Sequence, residues 1–432
     1  MEPTPINGKK LGDDFNSLRP SIFEAPFGLA LTSKVYRQVG MLTSTLEGML
    51  AGMKIGLRAV YCAVAGIKLL TLGQALAARL RLSLLDAEVP LWLSVAVQEL
   101  IVENDRVVGV RATKDGQTIY IKAKSGVVLA AGGFPLNQKM REKYHPHPIS
   151  TEWTSASPGN TGDAILMGMA IGGKIDLMED AWWGPASLPP GSTPFFHVGE
   201  RAYPGGMIVN SQGNRFMNES APYVDAVHEM YEHNSEASRT IPAHFIIDQR
   251  FRNKYLFGTL FPRANIPQEF FDTGYFVKVN TLEELADKCG INSQGLLKTV
   301  ERFNGFAKTG TDLDFQRGDS AYDRYYGDPT VKPNPCLAPI DQPPFYSVKM
   351  YPGDIGTKGG LVTDEKARVL KEDGTIIPGL YAVGNTSASV MGNTYPGPGG
   401  TIGPAMTFGF IAAKDIITST DRSQPSQKSL ST

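Results

Sequence analysis

Three kinds of hydrophobic pattern follow one another along this chain. Between residues 36 and 85 apolar residues recur at helical spacing, which predicts one or two helices with a buried apolar face. In the second helix that face would be formed by Leu72, Leu76, Leu80 and Leu84. Short β-rich runs follow between residues 89 and 131, separated by turn signals at 103–106 and 114–116. They predict an antiparallel meander.

The last of these runs, residues 127–133, contains no polar side chain and ends in two glycines. A strand of this kind is typically covered on both faces, and its glycines allow backbone or a ligand to approach closely. Strand character returns after residue 360 and ends in the run 379–384. We therefore predict one sheet domain that is built from the first and last thirds of the chain.

Residues 151–350 are irregular and rich in aromatic residues, proline and glycine, apart from a clear helix pair at 281–290 and 294–308. This segment reads as an inserted substrate or cap domain. The predicted organisation is a surface arm at 1–22, a discontinuous sheet domain at 23–150 and 351–420, the cap at 151–350, and a disordered tail at 421–432.

Charge and composition exclude several classes of function. The chain has 42 basic and 43 acidic residues, so no field of one sign exists to attract nucleic acid. Three scattered cysteines and six histidines show no metal-ligand spacing, which favours a reducing, cytoplasmic setting without a metal site. The longest apolar run, residues 59–70, is too short to span a bilayer, and no signal-peptide pattern opens the chain.

Basic residues lie among the apolar ones of the first helical region, at Lys54, Arg58 and Lys68. This combination is found in helices that touch a membrane surface, and it is also found in the solvated rim of an ordinary core helix. We favour the rim interpretation over peripheral membrane contact.

Residues 379–409 carry the most informative pattern, because a short buried strand leads into a glycine-rich loop and then a helix that begins near Thr401. The first N–H groups of such a helix are unpaired, and its dipole favours a flavin carbonyl or a developing negative charge there. The segment contains no charged residue and no histidine. A substrate bound beside it is therefore not expected to be a carboxylate or a phosphate.

Several motifs spread over the whole chain resemble one known family. They are VVLAAGGF, GNTGDAILMG, GGMIVNSQGNRFMNESAPYVD, RGDSAYDRYYGDP, FYSVKMYPGDIGTKGGLVTD and YPGPGGTIGPAMTFGFIAA. Together they resemble the FAD-dependent 3-ketosteroid Δ1-dehydrogenases, which belong to the fumarate reductase/succinate dehydrogenase-like flavoproteins. The resemblance implies an α/β fold with an α+β cap, in which a Rossmann-like FAD-binding domain carries an inserted substrate domain.

The resemblance also implies a reaction and the residues that perform it. In that family FAD accepts a hydride from C1 of a 3-ketosteroid, a tyrosine removes a proton from C2, and a second tyrosine with a glycine N–H binds the C3 carbonyl. The carbonyl-binding pair corresponds to Tyr395 and Gly399 in the YPGxG motif. For the base we choose Tyr223, ahead of Tyr231 and Tyr275. Electrons would leave to an external acceptor.

The implied FAD contacts fall on loops after strands and at the start of the last helix. They are Ala131, Gly132, Asn160, Thr161, Asp163, Gly384, Asn385, Gly400, Thr401 and Ile402. The family also has an N-terminal strand, GxGxxG turn and helix for the ADP half of FAD, together with a tyrosine that assists the base. Neither is found here. We expect a fragment or a mis-started reading, a second chain that supplies this half, or a non-catalytic binding subunit, and we favour the first.

Two related activities stay open. A dicarboxylate enzyme of the superfamily needs arginine and histidine donors, and the uncharged segment argues against it. The sister ketosteroid Δ4-(5α)-dehydrogenases resemble this chain too, but a serine stands there where this chain has Gly397. A hydrolase is not expected, since the chain has no GxSxG motif and its histidines have no triad context.

Overall fold

The computed structural model describes residues 3–19, 32, 38 and 45–423. Its α-helices span Leu46–Val64, Leu72–Asp86, Gln138–Tyr144, Asp163–Ala170, Tyr223–Glu232, Gln249–Lys254, Gln268–Asp272, Leu282–Cys289, Ser293–Thr309, Ala321–Tyr326 and Ile402–Ser423. Its strands span Ile6–Asn7, Leu69–Leu70, Ala96–Glu103, Arg106–Lys114, Gln117–Lys122, Val127–Leu129, Ile175–Asp176, Ala181–Ser187, Phe195–Phe196, Gly206–Val209, Ala243–Asp248, Phe276–Val279, Phe345–Thr357, Gly360–Leu361, Arg368–Leu370 and Ile376–Ala382. The predicted mixed α/β class is confirmed.

Internal contacts divide the chain into two discontinuous units. The first unit comprises Met1–Leu91 and Gly184–Gly353, and the second comprises Trp92–Trp183 and Asp354–Thr432. This division follows contact density and does not test which segments carry flavin or substrate. The predicted domain boundaries therefore stay a prediction, and the predicted tail lies outside the described residues from position 424 onwards.

The predicted meander forms the outer part of the second unit. Ala96–Glu103, Arg106–Lys114 and Gln117–Lys122 pair antiparallel in sequence order. Both turns use left-handed backbone, with Asn104 and Asp105 at φ 50° and 60° in the first. Asn and Asp tolerate this conformation because their side chains bond locally to the backbone. Turn chemistry and alternation of side chains thus place these strands as predicted.

A small mixed sheet forms the centre of the second unit. Ile376–Ala382 pairs antiparallel with Arg368–Leu370 on one side and parallel with Val127–Leu129 on the other. The core beneath it is aliphatic and includes fully buried Val107, Leu361 and Val369. The sheet thus joins the two ends of the chain that the sequence pattern assigned to one domain.

The sheet of the first unit is antiparallel and packs against the predicted helix pair. Ala243–Asp248 pairs with Gly206–Val209 and with Phe345–Thr357, which also pairs with Phe276–Val279. Side chains from Leu282–Cys289 and Ser293–Thr309 fill its core. Thr281 and Asn292 cap the two helices through their side chains, so each helix begins where its first free N–H groups find an acceptor.

One cluster of buried charges in the first unit is paired internally. The Arg215 guanidinium binds Glu219 at 2.7 Å and Asp312 at 2.8 Å, and Arg317 binds Glu219 at 3.0 Å. The two arginines hold the pKa of the Glu219 carboxyl below its ordinary value although burial alone would raise it. This cluster is structural, because carboxylate and guanidinium groups satisfy one another in it.

The described part of the N-terminal segment packs against the residues that follow it. Ile6–Asn7 pairs with Leu69–Leu70, and Leu11 is buried against the following helix. That helix, Leu72–Asp86, buries Ala75 and Ala78, whereas Leu80 and Leu84 are exposed. The prediction of a buried leucine face is therefore wrong, because the small alanines provide the close packing. Among the described residues, no helix combines the length and apolar character needed to cross a bilayer.

Candidate functional site

Two parallel strand ends bring the predicted FAD-contact loops together in the second unit. Leu129 lies beside Ala382 in the sheet, so the segments that follow them start next to each other. The Thr386 hydroxyl donates a hydrogen bond of 3.0 Å to the carbonyl of Gly132. Gly132 and the segment Gly384–Thr386 thus form one edge of the candidate site.

Two features require glycine at position 132, its left-handed backbone conformation and the close approach of the Asn160 side chain. Its φ is 82°, and a Cβ atom there would lie 2.7 Å from Oδ1 of Asn160. The carbonyl of Asn160 accepts a hydrogen bond from Leu136 N at 3.1 Å, and the amide group of Asn137 donates to the carbonyl of Thr161 at 2.9 Å. The predicted contacts Gly132, Asn160 and Thr161 therefore lie in one corner.

A cleft opens between the loop that follows the last strand and the start of the last helix of this unit. It is lined by Trp182, Gly384, Asn385, Ser387, Ala388, Ser389, Val390, Gly400, Thr401, Pro404 and Phe408. Four of the predicted FAD contacts, Gly384, Asn385, Gly400 and Thr401, share this lining. Ala131, Asp163 and Ile402 are instead exposed, with Ile402 the first residue of the helix. The helix begins at the cleft. Gly403 N already donates to the Gly399 carbonyl and Pro404 has no N–H, so the N–H groups of Thr401 and Ile402 are those that a ligand could use there.

Trp182 is part of this lining, and no sequence pattern pointed to it. Its indole N–H donates a hydrogen bond of 3.3 Å to Oδ1 of Asn385. Its ring contacts Tyr395 edge to face, with ring centroids 6.3 Å apart. Trp182 therefore connects a predicted flavin contact with the predicted carbonyl-binding tyrosine.

A buried ion pair lies against the Trp182 ring. Lys358 Nζ lies 2.7 Å from Oδ2 of Asp180 and 5.1 Å from the centre of the Trp182 ring. The same ammonium also lies 3.4 Å from the carbonyl oxygen of Thr394, the residue before Tyr395. Asp180 accepts a further hydrogen bond of 2.7 Å from the indole N–H of Trp183. The lysine thus bridges the tryptophan pair and the loop that carries Tyr395.

The loop from Tyr395 to the helix depends on glycine. Gly397 and Gly399 have φ values of 125° and 100°, which favour glycine, and the carbonyl of Gly399 accepts a hydrogen bond of 2.8 Å from Gly403 N. A serine at position 397 would be strained in this backbone. The loop and the cleft lining are uncharged, as the sequence predicted.

Tyr223 belongs to the first unit. It is the first residue of the helix Tyr223–Glu232, is buried, and packs edge to face against Phe196 with ring centroids 5.1 Å apart. Pro222 precedes it as the N-cap residue, with φ −48° and ψ 139°. Its assignment as the base stays a prediction.

Tyr275 and its neighbours bear on two alternative interpretations, namely Tyr275 as the base and a serine–histidine hydrolase. Its hydroxyl lies 2.8 Å from Ser187 Oγ, which also lies 2.8 Å from Nε2 of His197. Burial raises the pKa of Tyr275 to about 12, which disfavours it as a base. Burial, assisted by Arg201, lowers the pKa of His197 to about 3, so this serine–histidine pair lacks the basic imidazole that a hydrolase needs.

Comparison with known proteins identifies the family and the fold. The FAD binding domain family matches residues 6–402. A 3-oxosteroid 1-dehydrogenase of Mycolicibacterium smegmatis is 48% identical over 425 residues, covering 96% of this chain and 74% of the relative. A 4-oxocyclohex-2-ene-1-carboxylate 5-dehydrogenase of Sinomonas cyclohexanicum is 39% identical over 80% of this chain and 59% of the relative. The chain therefore belongs to the FAD-binding flavoproteins.

A solved structure indicates which family of FAD-binding flavoproteins the chain resembles. The 3-ketosteroid Δ1-dehydrogenase of Sterolibacterium denitrificans, in complex with 1,4-androstadiene-3,17-dione, superimposes with a TM-score of 0.92 at 43% identity. The match covers 97% of this chain and 77% of that one. Within the flavoproteins, the chain belongs to the 3-oxosteroid 1-dehydrogenase family. Among the described residues, no cluster of His, Cys, Asp or Glu is arranged to hold a metal ion.

Proposed function

We propose that this chain catalyses FAD-dependent 1,2-desaturation of 3-ketosteroids. The observation that carries the proposal is the cleft at the start of the last helix, because its uncharged glycine-rich wall continues into the loop that bears Tyr395 and Gly399. Such a wall suits an apolar ketone and offers no partner for a carboxylate. The family membership supports the same substrate class.

The residues of the cleft fit the flavin part of FAD. Gly384 and Gly400 present backbone in place of side chains, and Asn385 offers an amide. At the helix start, the N–H groups of Thr401 and Ile402 are placed to donate to the ring carbonyls. Gly132 leaves no room for a side chain next to Asn160, so this corner is shaped by backbone as well. When bound, FAD supplies the hydride acceptor for C1 of the steroid.

Tyr395 and Gly399 are proposed to hold the C3 carbonyl of the substrate. Loss of a proton from C2 places enolate charge on that oxygen, and two neutral donors stabilise this charge more than they stabilise the ground-state ketone. Trp182 packs against the Tyr395 ring and restricts its orientation. The donors are therefore preorganised by packing rather than by charge.

Tyr223 is proposed to accept the proton from C2. A tyrosine has an ordinary pKa of about 10, so the reaction requires polarisation of the ketone to acidify C2. Tyr223 is buried.

The proposal includes an external electron acceptor and a reducing, cytoplasmic location. Cys62, Cys289 and Cys336 are all free thiols. Uptake of FAD by the chain alone decides whether a separate polypeptide must supply the ADP-binding half.

The test uses the purified chain, added FAD and 5α-androstane-3,17-dione in the absence of oxygen. The expected result is bleaching of the flavin absorption and formation of the 1-ene product, identified by nuclear magnetic resonance. A 4-ene product would instead assign the chain to the Δ4-(5α) enzymes.

Two further outcomes are decisive. Bound FAD that stays oxidised with every ketosteroid would contradict the proposed substrate class. If FAD is not taken up at any concentration, the chain is not an enzyme by itself, and the same test is repeated with the ADP-binding half added in trans.

A further inference from the structure

The guanidinium group of Arg201 is buried and donates hydrogen bonds to three backbone carbonyl oxygens. Its Nε donates to His197 at 3.1 Å, its Nη1 to Glu219 at 2.8 Å and its Nη2 to Ala221 at 3.2 Å. A buried cation is costly unless its N–H groups are bonded, so these carbonyls hold the guanidinium in one orientation. Arg201 therefore joins two separate segments of the chain, one at His197 and one at residues 219–221.

Both segments adjoin Tyr223. Ala221 lies two positions before it in the chain. Phe196, the residue before His197, packs edge to face against the Tyr223 ring with ring centroids 5.1 Å apart. Arg201 thus links the backbone that leads into Tyr223 to the backbone that carries the ring beside it. A shift of either segment would change where the Tyr223 hydroxyl lies.

The helix Tyr223–Glu232 begins without a side-chain cap. Pro222 occupies its N-cap position and makes no capping hydrogen bond. The bonds of the preceding segment therefore set where this helix begins. Arg317 strengthens that segment, since its Nε donates to Ser220 Oγ at 3.2 Å and its Nη2 to the backbone carbonyl of Arg201 at 3.0 Å. The backbone from which the Arg201 side chain extends is thus held in place as well.

We propose that Arg201 is a positioning residue that holds Tyr223 where it removes the C2 proton of the steroid. The inference rests on the proposed function for its chemistry and on these contacts for its geometry. Proton transfer requires donor and acceptor atoms within hydrogen-bond reach, and a displacement of about 1 Å can slow a reaction by about 100-fold. Arginine suits this role because its planar fork spans several carbonyls, whereas a lysine is a single point of charge.

Arg252 provides the matched control. It is also buried in the first unit, and its Nη2 donates to the carbonyl oxygens of Phe261 and Ala264 at 3.3 Å each. Neither of these residues adjoins Tyr223 or Phe196 in the chain. Arg252→Lys therefore disturbs a buried arginine of the same kind without loosening the segments beside Tyr223.

The kinetic test compares Arg201→Lys with Arg252→Lys in flavin-loaded protein that oxidises a 3-ketosteroid. We expect Arg201→Lys to lower kcat by about 10-fold to 100-fold with little change in KM. It should also enlarge the isotope effect of deuterium at C2, because proton removal becomes slow relative to the other steps. Arg252→Lys should change neither quantity. If Arg201→Lys does not fold, Arg201→Gln, which leaves no buried charge, is compared with Arg252→Gln in the same way.

A second readout does not need turnover. Fluorine nuclear magnetic resonance of the chain with 3-fluorotyrosine in place of Tyr223 should give one signal, at the same position in Arg252→Lys. The signal should shift or broaden in Arg201→Lys. This measurement keeps the inference separate from the proposed function. Failure of the unchanged protein to oxidise any ketosteroid, or an unchanged kcat in Tyr223→Phe, contradicts the proposed function, whereas the fluorine signal still decides whether Arg201 positions the tyrosine.

Three results would overturn the inference. One is a fluorine signal that Arg201→Lys leaves unaltered. Another is slower turnover by Arg201→Lys with an unchanged C2 isotope effect, which would indicate a general loss of structure. The third is an equal effect of Arg201→Lys and Arg252→Lys on both readouts, which would show that any buried arginine of this unit serves stability alone.

Discussion

Lys358 and Asp180 form an ion pair of 2.7 Å in which both side chains are buried. The lysine ammonium also contacts the Thr394 carbonyl and the face of the Trp182 ring. One ammonium group therefore supports both the residue before Tyr395 and the ring that packs against Tyr395. Breaking such a pair from one side leaves an uncompensated buried charge.

Lys358→Met should therefore lower the free energy of unfolding by about 3 to 5 kcal/mol. The double variant Lys358→Met/Asp180→Asn should recover part of this loss, because the carboxylate charge is removed as well. Denaturant titration of both variants measures the difference. Lys366→Met is the control, since its ion pair with Asp415 is 3.5 Å long and the lysine is 46% exposed. Equal losses for Lys358→Met and the control would contradict the role given to the buried pair.

Tyr395→Phe should lower kcat/KM for a 3-ketosteroid by about 100-fold to 1,000-fold, the usual effect of removing one donor to a developing oxyanion. The unfolding free energy should hardly change, because Phe keeps the ring contact with Trp182. Steady-state kinetics with flavin-loaded protein measure the effect. Tyr120→Phe, at an exposed tyrosine on the meander, should leave the kinetics unaltered. A Tyr395→Phe enzyme with unchanged kcat/KM would remove this residue from the proposed mechanism.

Gly132→Ala should weaken FAD binding through displacement of Asn160. Gly374→Ala is a matched control, because Gly374 has the same φ of 82° but a Cβ there meets nothing within 4 Å. Both variants carry backbone strain of about 1 kcal/mol. Only Gly132→Ala should raise the dissociation constant measured by quenching of FAD fluorescence. A similar effect of both substitutions would mean that strain alone is responsible.

Glu200 should make stability fall as pH rises towards neutrality. Burial raises the pKa of its carboxyl to about 7, against a smaller opposing contribution from backbone N–H groups. Between the ordinary value of 4.5 and about 7, the folded state keeps a proton that the unfolded state has lost. The stability linked to this proton is full below the ordinary value and is lost as pH rises through 7.

Glu200→Gln should therefore be more stable than the unchanged protein at about pH 8, by about 3 kcal/mol, with the difference closing towards about pH 5. Thermal or denaturant unfolding across this range measures it. Glu236→Gln, at an exposed site, should show no such pH dependence. A constant difference between Glu200→Gln and the unchanged protein would show that the folded-state pKa is not raised.

Local patterns predicted those parts of the fold that depend on neighbouring residues. The meander, the helix pair and the start of the last helix near Thr401 were placed correctly, because alternation, capping residues and turn chemistry act within a few positions. The family motifs also led to Gly384, Asn385, Gly400 and Thr401, which line one cleft.

Long-range partners were not predictable in the same way. Asp180 and Lys358 are separated by 178 positions, and no local pattern indicates that two isolated charges will meet. Trp182 was missed because a buried aromatic residue usually serves packing. The leucine face of Leu72–Asp86 was assigned wrongly because periodicity identifies an apolar side but does not decide whether alanines or leucines are buried.

The pairing of Val127–Leu129 with the last strand also constrains the order of events during synthesis. Thr386 and Gly132, which it brings together, are 254 positions apart. A ribosome must therefore release the chain up to Thr386 before this edge of the candidate site can form, and until then the strand 127–129 lacks its parallel neighbour. Premature termination anywhere before residue 376 would leave that strand exposed, so truncated products should be recognised by chaperones and proteases.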